Sequence, residues 1–154
     1  MRGALRRGAP PLLEAGEHMT NIQRGNVPGL AQPPGYAHWA AAPGRRLVFL
    51  AGQVPLDARG ELVGPGDHVA QTDACLANLG ATLEAVGAAP RDAVRTTIYV
   101  VANDQADMRK VWQAVMDSEM GDVARTAATL LGMARLGYEG QLVEIEVIVA
   151  VPKL

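Results

Sequence analysis

From Val143 to Val151 every second residue is aliphatic: Val143, Ile145, Val147, Val149 and Val151. Side chains alternate between the faces of a strand, so this spacing predicts a strand over 141–151 with one wholly apolar face. The other face carries Glu144 and Glu146, then Ile148 and Ala150. A solvated edge would account for the two glutamates; the apolar pair that follows them points to partial burial. Residues 93–102 (AVRTTIYVVA) are rich in β-branched types and predict a second strand, with Val94, Ile98 and Val100 on one face and Arg95, Thr97, Tyr99 and Val101 on the other. Residues 47–57 predict a strand apolar on both faces, then a turn at 58–60 and a short return strand at 61–63. A further strand is expected over 126–136, joined to the last by a turn at 137–140.

Helical spacing marks two segments. Over 68–88, Val69, Leu76, Leu79, Leu83 and Val86 form one stripe, with Asp67 placed to cap the start and Gly87 and Pro90 near the end. Over 104–120 the inner stripe is Met108, Val111, Trp112 and Val115, capped by Asn103 or Asp104. The order is therefore ββαβαββ, an α+β domain in which two helices cover one face of a mixed sheet. The uncovered face holds too many apolar residues to stand in water, which predicts a homo-oligomer packed through it. Residues 1–35 hold Pro10-Pro11, Pro28-Gly29 and Pro33-Pro34-Gly35 with no sustained period. They read as an irregular or disordered lead-in to a single domain over 36–154. Met19 offers an alternative start that would make 1–18 an upstream extension.

Composition narrows the function classes. With 49% hydrophobic and 19% charged residues the chain is globular in type. A net charge of −2 and six aromatic residues argue against nucleic acid, which needs basic surface and stacking platforms. The single cysteine, Cys75, excludes an internal disulfide and suits a reducing compartment. No apolar run is long enough for a secretory signal or a membrane span, so a cytoplasmic protein without membrane partners is expected. His18, His38 and His68 form no metal-ligand spacing, no metal or other cofactor is called for, and Cys75 beside the apolar stripe reads as core. The only serine, Ser118, lies outside any nucleophile motif. Glu144 and Glu146 remain as groups suited to general acid/base work or to positioning water.

The segments Ala51-Gly52-Gln53-Val54-Pro55-Leu56-Asp57, Gln71 to Asn78-Leu79, Arg95-Thr96-Thr97-Ile98-Tyr99-Val100, Ala134-Arg135-Leu136 and Val143-Glu144-Ile145-Glu146 occur in a distinctive order. Together they resemble the RidA/YjgF family of reactive enamine/imine deaminases, over about Tyr36 to Val151. The resemblance implies a chorismate-mutase-like fold, a homotrimer, and clefts between subunits in which small enamines or imines are hydrolysed to a 2-keto acid and ammonia without a cofactor. By the family pattern Glu144 positions the attacking water, Tyr36 lies in the cleft and the backbone at Gly52 lines it. The family's arginine grips the substrate carboxylate. Aligned without a gap, that position falls on Ala128, with Thr126 at the preceding proline. A three-residue insertion would bring Arg125 there instead. Trp112 stands where the family often has a polar asparagine, and Ala51 where it often has serine, so a more apolar cleft is expected. Two functions follow, a deaminase or a metabolite-binding trimer that has lost catalysis with the arginine. A third, a nuclease or translation inhibitor as some relatives are labelled, is disfavoured by the acidic charge, few aromatics and absence of a His/Lys cluster in the sequence.

Overall fold

A computed structural model describes residues 22–153. Among them the chain forms strands β1 (Gln23–Gly25), β2 (Trp39–Ala41) and β3 (Arg46–Phe49), helix α1 (His68–Ala85), strand β4 (Ala93–Val101), helix α2 (Gln105–Asp117), and strands β5 (Ala127–Met133) and β6 (Val143–Val151). The reading of 1–18 as an extension, and His18 with it, lies outside the described residues. Part of the lead-in expected to be irregular is ordered: β1 pairs antiparallel with β2. Arg24 on β1 fastens this hairpin to the main body by donating to the carbonyls of Arg91 and Ala93, both at 2.7 Å.

The main sheet has the order β3-β6-β4-β5. β6 runs antiparallel to both of its neighbours, and β4 and β5 are parallel with α2 as their crossover. The predicted α+β architecture, a mixed sheet with two helices, is the one observed. The aliphatic face of β6 is the centre of the core: Val143, Ile145, Val147, Val149 and Val151 are all buried, against Leu76, Leu79 and Leu83 of α1, Val111 and Val115 of α2 and Ile98 of β4. On the opposite face Leu47 and Phe49 are 48% and 72% exposed, and Leu131 and Met133 are exposed on β5.

Both helices start at the predicted caps. Asp67 accepts from the amides of Val69 and Ala70, and Asp104 from those of Ala106 and Asp107. Helix α1 stops at Ala85 rather than 88 because Gly87 takes φ +69°, with its amide bonded to Glu84 and that of Ala88 to Leu83. That is the Schellman pattern, which only a residue tolerant of positive φ closes easily. Helix α2 stops at Asp117 rather than 120, where the Ser118 hydroxyl takes the Val115 carbonyl at 2.7 Å.

The strand expected over 47–57 is regular only to Phe49. Leu50 donates to Val147, but the next pairing is Gln53 with Ile145, so three residues advance against two. One extra residue at Ala51–Gly52 makes a β-bulge, and Pro55, with no N–H to give, prevents the ladder from resuming. The return strand at 61–63 reduces to a single bridge, Leu56 with Leu62. Two buried or half-buried amides of α1 hold the loop in place. Asn78 donates to the carbonyls of Val54 and Leu56 at 2.8 and 3.0 Å, and Gln71 to those of Gly64 and Gly140.

Cys75 is buried in the core as expected, its thiol directed at the Val143 carbonyl 3.6 Å away. Burial, with the charge of Glu144 adding to it, pushes the thiol up from 9.0 to about 12. Between those pH values the unfolded chain gives up a proton that the folded chain keeps, so stability falls as pH rises from about 9 towards 12. The loss reaches about 4 kcal/mol at ~1.4 kcal/mol per unit. Urea midpoints of the wild type should drop through this window, and those of Cys75→Ala should drop less.

Candidate functional site

The bulge after β3 brings the chain back against β6 opposite Glu144. A β-carbon placed on Gly52 would collide with the Glu144 carboxylate, so glycine is what allows the backbone to approach the acid. Gln141 holds the other carboxylate oxygen, donating to it at 3.1 Å and to the Val143 carbonyl at 3.1 Å. Tyr99 pairs with Glu144 across the β4–β6 ladder, and its hydroxyl lies 3.4 Å from Glu146. Burial, then the charge of Glu146, raises the Tyr99 hydroxyl above its ordinary value. Glu144, Glu146 and Tyr99 all lie on the uncovered sheet face.

A second cluster forms at the other end of the sheet. The amide of Ala37 bonds the Thr126 carbonyl at 2.8 Å and Ala37 bridges Ala127, so residues 36–37 run along the free edge of β5. This places Tyr36 against α2, its ring 6.3 Å from that of Trp112 at 85°. Edge-to-face contacts of this kind favour a fixed mutual orientation. Tyr36 and Trp112 line a pocket of about 520 Å³ whose floor is Ala128 and Leu130 of β5, with Pro34 and Met108 at its sides. Its polar lining comes from Tyr36, Gln105 and Arg109, whereas Thr129 turns its hydroxyl to the other face, where Arg95 donates to it at 2.7 Å.

Of the residues singled out in the sequence, the fold therefore brings Tyr36, Trp112 and Ala128 together in one place, and Gly52 and Glu144 together in another. Ala128 pairs with Thr96, on the helix-covered side of β5, whereas Glu144 points to the uncovered side, two strands or roughly 10 Å across the sheet. Arg125 belongs to neither group. Its guanidinium pairs with Asp122 at 3.0 Å and donates to the Met116 carbonyl at 3.1 Å. His38 accepts from the Val27 amide and His68 contacts the Val101 carbonyl, so both are engaged with backbone. Sequence reading missed Gln105, Met108 and Arg109 as pocket residues. Their spacing to Trp112, at i, i+3, i+4 and i+7, is the signal of one helix face.

The sequence model of the family described as Endoribonuclease L-PSP matches residues 30–151. The chain belongs to this family, the RidA/YjgF proteins. It is 36% identical over 104 residues to a RutC family protein of Pyrococcus abyssi, an alignment covering 66% of this chain and 76% of that one. It is 32% identical over 105 residues to the mouse 2-iminobutanoate/2-iminopropanoate deaminase, covering 67% of this chain and 73% of the relative. Among solved structures, the Rid family protein YyfB of Yersinia pestis superimposes with a TM-score of 0.75 at 32% identity, covering 85% of this chain and 99% of that one.

The contact between Gly52 and Glu144 can be tested directly. Gly52→Ala should change stability by less than about 1 kcal/mol, because the atoms a β-carbon meets belong to a side chain that can turn away rather than to backbone. It should nonetheless displace the carboxylate and break its bond to Gln141, visible as a shift of the Gln141 side-chain amide resonances by NMR.

Proposed function

We propose that this chain is a cofactor-free hydrolase of small enamines or imines, releasing a 2-keto acid and ammonia from a homotrimer. The observation that carries this reading is the Glu144 carboxylate, held by Gln141 against the Gly52 backbone on a half-buried, uncovered sheet face. A carboxylate fixed in this way can orient a water and take its proton as the water adds to the C=N carbon. That proton goes to the imine nitrogen to give the carbinolamine, and the new hydroxyl's proton follows it through the same carboxylate as the C–N bond breaks, so that imine and water become ketone and ammonia. Similarity to a protein named 2-iminobutanoate/2-iminopropanoate deaminase supports the reaction class.

Trimerisation follows from the same face. Leu47, Phe49, Leu131 and Met133 are apolar side chains left in water by a single chain, and covering them with a second copy removes that cost. A cleft that joins the acid on one sheet face to the Tyr36 pocket on the other also requires a boundary between subunits. The second reading is a trimer that binds a metabolite without turning it over. It is favoured by Ala128 on the pocket floor, where no guanidinium stands, and by the engagement of Arg125 with Asp122.

Ammonia release from freshly generated 2-iminopropionate separates the two. The deaminase reading expects wild-type acceleration over buffer and a loss of about 10²–10⁴-fold in Glu144→Gln. A wild-type rate equal to buffer, with thermal stabilisation by keto acids, would leave the binding reading. Light scattering should give three chains of 16.2 kDa, 3 × 16.2 = 48.6 kDa; a monomer would overturn the inter-subunit cleft.

A further inference from the structure

We propose that Arg109 on α2 is the carboxylate-binding group of the Tyr36–Trp112 pocket, and that the pocket selects acids with a large aromatic or branched aliphatic side chain. This rests on the reading of the pocket as a small-molecule site, though not on its turning anything over.

Among the described residues the charge of Arg109 has no partner. A carboxylate three or four residues away is the partner that helix geometry offers an exposed arginine. The residues at those distances from Arg109 are Gln105, Ala106, Trp112 and Gln113, none of them acidic. The next residue shows the ordinary case, since Lys110 pairs with Asp107 at 3.0 Å. Arg24, Arg45, Arg59, Arg95 and Arg125 each donate to a carbonyl, a hydroxyl or a carboxylate, and of the arginines whose side chains do not, Arg46, Arg91, Arg109 and Arg135, only Arg109 lines the pocket. Among the described residues Arg109 makes no hydrogen bond or ion pair, and it is the one charged residue lining the pocket. The pocket wall therefore holds a positive charge with no negative charge beside it.

The rest of the lining defines what accompanies the anion. Trp112, Met108 and Leu130 supply an aromatic face, a polarisable thioether and an aliphatic side chain, with Ala128 leaving room on the floor. A volume of about 520 Å³ lies within the ~300–1,000 Å³ range of small-molecule sites. It is more than a three-carbon acid fills. The Tyr36 hydroxyl and the Gln105 amide supply further polar groups for an acid or a neighbouring carbonyl. Ala128 on β5 and Arg109 on α2 line the same pocket, so a guanidinium on the helix serves where the strand offers only a methyl group. The ligand class is a 2-keto or 2-imino acid with a bulky apolar side chain, its carboxylate on Arg109 and its side chain against Trp112.

Calorimetric titration with phenylpyruvate, pyruvate and the uncharged phenylacetone tests this. Wild-type protein should bind phenylpyruvate at least tenfold more tightly than either of the others. Arg109→Ala should weaken phenylpyruvate binding by about tenfold to a hundredfold, as loss of a charge-assisted hydrogen bond does, and leave phenylacetone unchanged. Arg109→Lys should fall between, keeping the charge without the planar fork. Trp112→Ala should erase the preference for phenylpyruvate over pyruvate. Unchanged phenylpyruvate affinity in Arg109→Ala, or pyruvate binding as tightly as phenylpyruvate to the wild type, overturns the proposal. Binding that depends on Arg109 in a protein that releases no ammonia would uphold it while removing the deaminase reading. Glu144-dependent ammonia release with binding indifferent to Arg109 would do the reverse.

Discussion

A strand has two faces, and β6 is placed where both must be satisfied. It lies between β3 and β4 with five aliphatic side chains turned into the helices, and these are the centre of the core. The pleat leaves the intervening residues no choice but the other face, and there the chain carries Glu144, Glu146, Ile148 and Ala150. The same alternation that builds the core therefore displays the acids. The two helices are occupied on the aliphatic side, so the acidic and apolar residues of the uncovered side depend on what a single chain does not supply.

The fold also divides the chemistry. The bulge at Ala51–Gly52 allows main chain to rest against Glu144, and α1 secures the loop that follows through Asn78 and Gln71. At the far edge, residues 36–37 run along β5 and bring Tyr36 to Trp112. One half supplies an oriented acid and the other a pocket with an unpaired cation. Backbone hydrogen bonding positions both, which is why neither needs a long, self-supporting loop.

Much of this was legible in the sequence where period and local chemistry act alone. The β6 alternation, the α1 stripe with its Asp67 cap, and the β-branched run of β4 each indicated the element that forms. Failures came where neighbours decide. An apolar run such as 47–57 carries no mark of the extra residue at Ala51–Gly52, because a bulge is defined by the partner strand. Nothing in 127–133 says that the strand lies parallel to β4 at an edge, or that Ala128 and Glu144 of one chain turn to opposite faces of the sheet. The resemblance to a known family indicated Glu144, Tyr36 and Gly52. Arg109 went unnoticed because a polar residue on an exposed helical position looks like a solvated one until the groups around it are known.

The position of β6 also bears on how the molecule is made. It is the last strand in the chain order yet sits inside the sheet, with β3 on one side and β4 on the other. Until β6 emerges from the ribosome, β3 has no hydrogen-bonding partner in the main sheet, and the helices have only the aliphatic face of β4 to close upon. Local pieces such as α1 and the β4–α2–β5 unit can form early, but the sheet joins in a single late event spanning about a hundred residues of separation from Arg46 to Val151. Long-range closure of this kind slows folding and leaves hydrophobic edges uncovered during synthesis. Interruption of translation just short of Val143 would thus yield a chain with both helices and without the central strand of its core.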